Sequence, residues 1–530
     1  MPTRPVEPAP FASPVATRNR VAVIDLGTNT FHLLIVEFTD FGTFVVKEKY
    51  KEAVKLGEGI TQQVIAEAAF HRGIDALKKF RTLIDARGVS TVLAFGTSAL
   101  RDAQNAAVFL DAAREEAGIA IRIINGNEEA ALIYQGVRNG VVFPPGENVL
   151  LIDIGGGSVE FIVGTAQQAK LLRSTRLGAA RLLEQIAPAD PPSRADIAAT
   201  RKVIAAQLDE LLREIAEFQV RTVVGSSGTF ETLGALTAAE SRDVLAMQNP
   251  NGFGLSPARF QKLKARLLKA SREERLLMPG MEVARVDMIL MGVVLIDYVL
   301  QRLPIENILV STYALKEGIL YDYLETQRES ALPHTEADRG LREKAIRAVG
   351  HKYHFEEGHA NQVALLALQL FDELRGLHGY GPEERELLKY ACLLHDIGHF
   401  VGRSGHHKHG QYILMNAPIQ GFASSELLLL GNLVRYHRKS LPSKEHFHFN
   451  LLPKAEKELI LRLSALLRLA DCLDRGHRHL IRQLRALQTE VEVVVGVEAS
   501  GEVDIELTAA RENTELFEVA YGLPITFRAA

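Results

Sequence analysis

The chain has 530 residues, of which 47% are hydrophobic and 24% are charged, and its formal net charge is -4 at pH 7. This composition excludes a chain that is disordered throughout or embedded in a membrane, and the length predicts about two to four domains. Because the net charge gives no overall basic field, we expect no nucleic-acid partner, and any polyanion must bind in a local basic groove.

The N-terminal segment lacks the pattern of a secretion signal. Residues 1–20 are rich in proline and alanine and have no continuous apolar core, and no later run is long enough to span a bilayer. We therefore expect a cytoplasmic protein with a disordered tail at residues 1–20. The only cysteines, Cys392 and Cys472, lie in apolar runs of helical pattern, which predicts free, buried thiols.

Strands and helices alternate in the first part of the chain. The apolar runs VAVIDLG and FHLLIVEF, joined by the polar turn TNT, predict a hairpin at residues 21–38. A helical pattern at residues 61–87, a strand at TVLAFG, a helix over residues 98–118, a strand at IRII and a helix from Gly126 follow. This alternation is typical of an α/β fold.

The run VLLIDIGGGSVEFIVG at residues 149–164 repeats the strand, glycine turn and strand of residues 21–38. The repetition indicates an internal duplication. We therefore expect two related α/β lobes, at residues 21–135 and 136–324, with a cleft between them.

The last part of the chain has a different pattern. A polar linker at residues 325–340 precedes a region that is almost entirely helical in pattern and carries most of the histidines. We expect an all-α domain at residues 325–485. The β-like run TEVEVVVGVEASGEVDIELTA then predicts a small strand-rich segment at residues 486–530.

Three glycine-containing turns carry residue types that bind phosphate. Glycine lets the backbone approach an anion, and neighbouring hydroxyl and amide groups add donors. Three consecutive glycines cost backbone entropy without adding packing, and the third turn precedes a helical pattern whose N-terminus can bind an anion. The first turn alone fits a plain polar hairpin equally well, but the three together predict a phosphate site. The residues concerned are Gly27, Thr28, Asn29, Gly155, Gly156, Gly157, Ser158, Gly225, Ser227 and Gly228.

Two carboxylates lie next to the second turn. Acidic groups beside a phosphate repel it unless a divalent cation lies between them, so Asp153 and Glu160 are candidate ligands of Mg²⁺, which prefers oxygen ligands. Glu128 and Glu129 follow Asn125 at the start of a predicted helix. Acidic residues are favoured there by the helix dipole, so a capping role is an alternative for this pair.

These turns, together with GTSALR at residues 96–101 and GNEEA at residues 126–130, resemble the exopolyphosphatase / guanosine pentaphosphate phosphohydrolase (Ppx/GppA) family of the actin-like phosphotransferase superfamily. The resemblance covers about residues 20–320 and extends more weakly through the helical region, which is similar to the C-terminal module of longer members. It implies two actin-like (ribonuclease H-like, ASKHA superfamily) lobes with a cleft. It also implies Mg²⁺-dependent hydrolysis of the terminal orthophosphate of inorganic polyphosphate, and a homodimer.

The resemblance also implies roles for individual residues. Glu129 would orient and activate the attacking water, and Asp153 and Glu160 would belong to the Mg²⁺ and water network. Arg101 fits a phosphate site because a guanidinium fork matches the geometry of phosphate oxygens. The residues that the resemblance puts around the phosphates are Asn29, Arg101, Gly156, Ser158 and Gly228.

The helical domain carries a second candidate site. His359, His395, Asp396 and Asp471 resemble the H…HD…D ligand set of HD-domain metal phosphohydrolases, which implies an HD-like domain with a second divalent metal. Imidazoles and carboxylates from separate helices can converge on one transition metal, and His409 and His437 are available for another. Two alternatives stay open: a purely structural HD-like domain, and a groove of histidines and arginines that binds the polyphosphate tail.

Other activities fit parts of the sequence. Hydrolysis of guanosine pentaphosphate (pppGpp) to the tetraphosphate (ppGpp) needs the same turns and also a nucleoside pocket, for which no motif is legible. A kinase-like or chaperone-like ATPase is disfavoured by the short spacing between the turns and by the GNEEA segment. A non-catalytic sensor of polyphosphate or of the guanosine nucleotides is disfavoured because Glu129, Asp153 and Glu160 are all present.

Overall fold

The computed structural model describes residues 20–39, 43–58, 63–144, 146–243, 246–247, 249–329, 340–417 and 419–529. The first of its two units comprises the described residues of 20–138, 143–241 and 254–329, and the second comprises those of 139–142, 242–253 and 340–529. Of the predicted disordered tail, residues 1–19 lie outside the described residues, and Arg20 begins the first strand. No helix in the described part of the chain has the length and apolar character needed to cross a membrane.

The first lobe is built on a five-stranded sheet in the order β3-β2-β1-β4-β5. Its central strand has an apolar run, Ala22 to Ile24, that is 0% exposed, as is typical of a strand covered on both faces. The strands are β1 (Arg20–Leu26), β2 (Phe31–Phe38), β3 (Phe44–Glu52), β4 (Thr91–Gly96) and β5 (Ile121–Ile123). The helices are α1 (Glu67–Ala86), α2 (Ser98–Asp102), α3 (Ala106–Ala117) and α4 (Gly126–Arg138).

Two helices of this lobe differ from the sequence prediction for one shared reason. The side chain of Asn105 accepts a hydrogen bond from the backbone N–H of Ile65 at 2.9 Å and donates one to its carbonyl at 3.0 Å. These bonds hold Ile65 outside a helix, so α1 begins at Glu67 rather than near residue 61. Asn105 itself lies in the break between α2 and α3, where the sequence predicted a single helix.

The second lobe contains a six-stranded sheet in the order β10-β11-β9-β6-β7-β8. Its strands are β6 (Val149–Ile154), β7 (Val159–Gly164), β8 (Ala169–Thr175), β9 (Thr222–Ser226), β10 (Gly254–Leu255) and β11 (Asn307–Val310). Its helices are α5 (Ala179–Ile186), α6 (Arg194–Ala216), α7 (Ser227–Ser241), α8 (Pro257–Lys269), α9 (Arg272–Leu276), α10 (Ile289–Leu300) and α11 (Leu315–Glu329). Helix α11 extends into the predicted linker at residues 325–340, of which residues 330–339 lie outside the described residues.

The two lobes repeat one another. The antiparallel pair β1 and β2 ends at Leu26 opposite Phe31, and the pair β6 and β7 ends at Ile154 opposite Val159, so each hairpin has a four-residue turn. Strand β1 is also parallel to β4, as β6 is to β9. The repeated hairpins that the sequence predicted are thus present, in an α/β fold built on two sheets.

Glycines allow α4 and α11 to cross at very short distance. A Cβ atom at Gly318 would overlap the carbonyl oxygen of Leu132, and one at Gly136 would overlap that of Ala314. Neither glycine has a positive φ, so the requirement is steric rather than conformational. The crossing fixes α4, which carries Glu129, against the end of the second lobe.

The second unit is mainly helical and ends in a small sheet. Its helices are α12 (Leu341–Lys352), α13 (Glu357–Glu373), α14 (Arg375–His378), α15 (Pro382–Leu394), α16 (His406–Asn416), α17 (Ser424–Tyr436), α18 (Phe447–Asn450), α19 (Lys454–Cys472), α20 (Asp504–Arg511) and α21 (Glu515–Tyr521). The strands β12 (Ile481–Gln488), β13 (Val493–Ala499) and β14 (Ile525–Ala529) form one sheet in that order. Both cysteines are buried and unpaired, as predicted.

The strand-like pattern predicted up to residue 509 is wrong at its end, where α20 forms. Val503, Leu507 and Ala510 are buried at helical spacing, and Asp504 supplies an acidic group in the first turn. The helical spacing of these buried residues and the acidic first turn outweigh the β-like composition of the run.

Candidate active site

The two hairpin turns of the first unit face each other closely. In each turn the first glycine donates to the fourth residue at 3.1 Å, Gly27 to Thr30 and Gly155 to Ser158. A Cβ atom at Gly157 would lie 2.5 Å from Oγ1 of Thr28. Glycine is therefore required because the opposite turn leaves no room for a side chain.

Ser98, at the start of α2, borders the narrow gap between the two hairpin turns. A Cβ atom at Gly157 would lie 2.6 Å from Oγ of Ser98. This hydroxyl is buried and has no hydrogen-bond partner among the described residues. An unpaired polar atom at such a position is accounted for by a ligand or a water, so Ser98, which lies in the GTSALR run but was not assigned a role there, joins the candidate site.

The third predicted turn is the junction of β9 and α7. Gly225 lies inside β9, where a Cβ atom would overlap the ring of Phe230, so this glycine is explained by packing. Ser227 begins α7 with φ +66°, a conformation rare for serine. A Cβ atom at Gly228 would overlap the guanidinium of Arg285. Arg285 thus brings a cation to the N-terminus of α7, and its Nε has no hydrogen-bond partner among the described residues.

Asp153 and Glu160 are directly opposite each other in the β6 and β7 pair. Both are buried, with exposed fractions of 4% and 1%. Ser226 and Ser227 donate hydroxyl hydrogen bonds to Asp153 at 2.6 and 2.7 Å, and Ser174 donates one to Glu160 at 2.8 Å. Like charges opposite each other in a sheet are destabilising, so the pair needs a compensating cation when ionised.

Glu129 lies in the first turn of α4 and is buried. Its Oε2 is 2.9 Å from Nη1 of Arg101, which also donates to the carbonyl of Ile124 at 2.9 Å. Burial raises the pKa of Glu129 to about 7, although Arg101 lowers it, and Asp153 raises it further. Glu128, by contrast, is partly exposed and pairs with Arg122.

The electrostatics of this group fit a divalent cation. Burial raises the pKa of Asp153, and the hydroxyls of Ser226 and Ser227 only partly oppose that effect. Burial, Glu129 and Asp153 together raise the pKa of Glu160 well above its ordinary value. When they are ionised, these three carboxyl groups carry negative charge that Arg101, Lys316 and Arg285 oppose only in part, and their oxygen atoms suit Mg²⁺.

Asp25 and Lys316 are further charged groups at this site that the sequence analysis did not assign to it. Burial raises the pKa of Asp25 to about 7, although Lys316 lowers it, and Glu129 and Asp153 raise it. Asp25 lies opposite His32 in the first hairpin, as Asp153 lies opposite Glu160 in the second, so the duplication could have indicated it. Lys316, in the first turn of α11, had no such signal.

The histidines predicted in the helical unit converge. Nε2 of His359 lies 3.3 Å, and Nε2 of His395 lies 3.5 Å, from Oδ1 of Asp471, and these three residues could hold a metal ion. Asp396 groups instead with His399 and His406. In the described residues, the α16 histidine that reaches Asp396 is His406, at 3.1 Å, and not His409.

Models of one protein family match the sequence of both units. Residues 34–327 match the model of the Ppx/GppA phosphatase family, and residues 341–510 match the model of Ppx/GppA phosphatase domain III. The crystal structure of an exopolyphosphatase from Cytophaga hutchinsonii ATCC 33406 is similar, with 37% identity and a TM-score of 0.56, over 58% of this chain and 98% of that chain. That of an exopolyphosphatase-like protein has 26% identity and a TM-score of 0.52, over 58% of this chain and 99% of that chain.

Proposed function

The chain belongs to the Ppx/GppA phosphatase family, and from that membership we propose that it is a Mg²⁺-dependent exopolyphosphatase that releases the terminal orthophosphate of inorganic polyphosphate. One observation carries the proposal. Glu129 is a buried carboxylate that is paired with Arg101 and coupled electrostatically to Asp153. These are the parts that a water-activating site beside a bound phosphate needs.

The proposed reaction is in-line attack of water on the terminal phosphorus atom. Glu129 aligns the water and accepts its proton, a role that contributes about 10²- to 10⁴-fold to the rate. Nη1 of Arg101 holds Glu129, and we assign its other N–H groups to the phosphate oxygens. The backbone amides of the two hairpin turns bind the same oxygens as their charge grows in the transition state.

Asp153 and Glu160 would hold Mg²⁺, which when bound screens the negative charge of the phosphate oxygens. The hydroxyls of Ser226 and Ser227 fix the orientation of Asp153, and Ser174 fixes that of Glu160. The close approach of Gly157 to Thr28 and Ser98 excludes side chains from the gap in which the phosphates would lie.

The test is phosphate release from long-chain polyphosphate and, in parallel, from pppGpp, in the presence of Mg²⁺. We expect release mainly from polyphosphate, and we expect Glu129→Ala to keep its KM and lose about 10²- to 10⁴-fold in kcat. Glu128→Ala is the matched control because Glu128 is the adjacent acid but is partly exposed and paired with Arg122. Both variants should keep the circular dichroism spectrum of the wild type.

Three other outcomes of this experiment would change the proposal. A clear preference for pppGpp would make the chain a guanosine pentaphosphate phosphohydrolase that uses the same site. Equal turnover by wild type and Glu129→Ala would remove Glu129 from the mechanism. Binding of polyphosphate without release by the wild type would indicate a sensor of polyphosphate or of the guanosine nucleotides.

Two further components belong to the proposal. An HD-like metal site at His359, His395, Asp396 and Asp471 is supported by the convergence of these side chains in the helical unit. A homodimer would let a long polyanion contact two copies of the chain. Light scattering of the purified protein measures the mass of the oligomer directly, and a monomeric mass would exclude the homodimer.

A further inference from the structure

Helix α2 directs three polar side chains to the same side. The positions i, i+3 and i+4, which share one face of a helix, are occupied by Ser98, Arg101 and Asp102. Oγ of Ser98 borders the turn at residues 155–157, the glycine turn of the second lobe. Nη1 of Arg101 lies 2.9 Å from Oε2 of Glu129. The position of this short helix therefore fixes two groups of the candidate active site.

The third side chain of this face, Asp102, lies between two arginines of the second lobe. Its side chain is 6% exposed. Oδ1 of Asp102 is 2.8 Å from Nη2 of Arg176, and Oδ2 is 2.6 Å from Nη2 of Arg181. Each oxygen of one carboxylate thus pairs with a different guanidinium group. Both pairs join α2 of the first lobe to the second lobe.

The two ion pairs differ in burial. The side chain of Arg176 is 63% exposed, whereas that of Arg181 is 12% exposed. An exposed ion pair contributes little, because water and salt screen it. A buried pair is screened less, and the loss of one partner leaves an uncompensated charge. The pair of Asp102 and Arg181 is therefore the stronger link between α2 and the second lobe.

The first turn of α5, which contains Arg181, holds the glycine turn through its carbonyl groups. Each of the three glycine carbonyls accepts a hydrogen bond from α5. The donors are the N–H of Ala179 to Gly155 at 2.9 Å, the N–H groups of Ala180 and Arg181 to Gly156 at 3.0 and 3.1 Å, and Nε of Arg181 to Gly157 at 3.0 Å. Arg181 therefore binds the glycine turn with both its backbone and its side chain.

These bonds determine where the N–H groups of the glycine turn point. The carbonyl of one residue and the N–H of the next belong to one planar, trans peptide group, in which they point in opposite directions. The N–H groups of Gly156, Gly157 and Ser158 are therefore directed away from α5. They belong to the backbone amides that the proposed reaction assigns to the phosphate oxygens.

We propose that Arg181 and Asp102 are positioning residues for the phosphate site. Arg181 binds the glycine turn through Nε and Asp102 through Nη2, so it ties the amides of the second lobe to α2 of the first. Those amides and Arg101 are thereby held toward the same phosphate. The inference rests on the proposed function, and it concerns two residues to which that proposal gives no contact with the phosphate or the attacking water.

The first test is a double-mutant cycle on the full-length chain, measured as kcat and KM for long-chain polyphosphate with Mg²⁺. Asp102→Asn and Arg181→Gln should each lower kcat/KM about 10- to 10²-fold, because small displacements of the amides or of Arg101 misplace the phosphate. KM should rise as well as kcat fall, in contrast to Glu129→Ala. The double variant should lose about as much as Arg181→Gln alone, because the two residues act through one contact.

Two further variants separate this contact from ordinary surface pairs. Arg176→Gln removes only the exposed partner of Asp102 and should lower kcat/KM less than about threefold. Arg173→Gln is the matched control, because Arg173 is another arginine of the second lobe but pairs with Glu214 on the surface, where the two side chains are 48% and 42% exposed. Its kcat and KM should equal those of the wild type.

The second test does not depend on the substrate. Deuterium uptake by backbone amides reports local opening of the structure. In Asp102→Asn, uptake should become several-fold faster both in α2 and at residues 155–158, which belong to different lobes, and in Arg173→Gln it should stay at the wild-type rate. Asp102→Asn keeps the shape of the side chain, so it tests the link even if Arg181→Gln fails to fold.

Two results would overturn the inference. One is a double variant whose loss in kcat/KM is the product of the two single losses. The other is unchanged deuterium uptake at residues 155–158 in Asp102→Asn. A wild type that releases no phosphate from polyphosphate would instead contradict the proposed function, and the deuterium uptake would still decide whether Asp102 holds the glycine turn.

Discussion

Nη1 of Arg101 lies 2.9 Å from Oε2 of Glu129, and yet burial raises the pKa of that carboxyl group to about 7. One guanidinium therefore does not outweigh the loss of water around Glu129 and the nearby charge of Asp153. A carboxylate with a pKa near 7 is a stronger base than an ordinary glutamate, and once ionised it can accept a proton late in a reaction. The pair thus sets the pH range of the proposed activity.

The first prediction concerns pH. If Glu129 must be ionised, kcat/KM for polyphosphate should rise with pH through about 7. In Arg101→Gln the loss of the cation disfavours the carboxylate and raises the pKa of Glu129, so the rise should move to higher pH, along with an overall loss of rate. The pH profile of kcat/KM measures both. Arg122→Gln, which removes the partner of Glu128, should leave the position of the rise unchanged, and a rise at the same pH in Arg101→Gln would contradict the coupling.

The second prediction concerns Mg²⁺. Chelator should abolish phosphate release, and Glu160→Gln should raise the Mg²⁺ concentration for half-maximal rate by about tenfold or more, because one of two charged oxygen ligands is lost. The raised pKa of Glu160, caused by burial and by the neighbouring Glu129 and Asp153, means that protons compete with the ion. Half-saturation by Mg²⁺ should therefore need less ion as the pH rises. A Mg²⁺ titration with the same half-point in wild type and Glu160→Gln would exclude Glu160 as a ligand.

The third prediction concerns the gap between the hairpin turns. In Gly157→Ala the new methyl group would lie 2.5 Å from Oγ1 of Thr28 and 2.6 Å from Oγ of Ser98, so the turns must separate. Displacement of phosphate-binding amides by a fraction of an ångström should lower kcat/KM about 10- to 10²-fold. Gly254→Ala is the control, because a Cβ atom there has no atom within 4 Å. Steady-state kinetics of the two variants would distinguish a required glycine from an incidental one.

The fourth prediction concerns the crossing of α4 and α11. In Gly318→Ala the added methyl group overlaps the backbone carbonyl of Leu132, which cannot rotate away as a side chain can. We expect a loss of about 1–3 kcal/mol in the free energy of unfolding and a lower kcat, since α4 carries Glu129. Calorimetry of Gly318→Ala beside Gly254→Ala gives the comparison. An unchanged melting temperature would mean that the helices separate at little cost.

Local patterns in the sequence predicted the parts of the site that lie on one hairpin or one helix. The glycine turns follow strands, Asp153 and Glu160 lie in strands beside a turn, and Glu129 lies in the first turn of a helix. Such positions are legible from periodicity and composition. The two-lobed fold was legible because the second hairpin repeats the first. These features depend on contacts between residues close together in the chain.

The other groups come from distant segments, which periodicity does not connect. Lys316 acts on Asp25 only because α11 packs along the first lobe. Arg285 covers Gly228 from the end of the short 3₁₀ helix Val283–Arg285. In the helical unit, the choice of His406 over His409 depends on where α16 begins. Gly405, with φ +76°, ends the preceding loop and starts the helix at His406. A helical pattern in the sequence does not by itself show at which residue the helix begins, and so does not show which histidine faces Asp396.

The duplicated hairpins are alike in strand pairing and differ in the side chain that stands opposite the aspartate. Opposite Asp25 stands His32, and opposite Asp153 stands Glu160. Burial and the charge of Lys316 hold the pKa of His32 well below its ordinary value, so the first hairpin presents a neutral imidazole where the second presents a carboxyl group. The second hairpin therefore offers a divalent cation two carboxyl groups, whereas the first offers one, Asp25, beside a neutral imidazole. The two halves of the frame, although alike in strand pairing, therefore do not offer a bound ion equivalent sites.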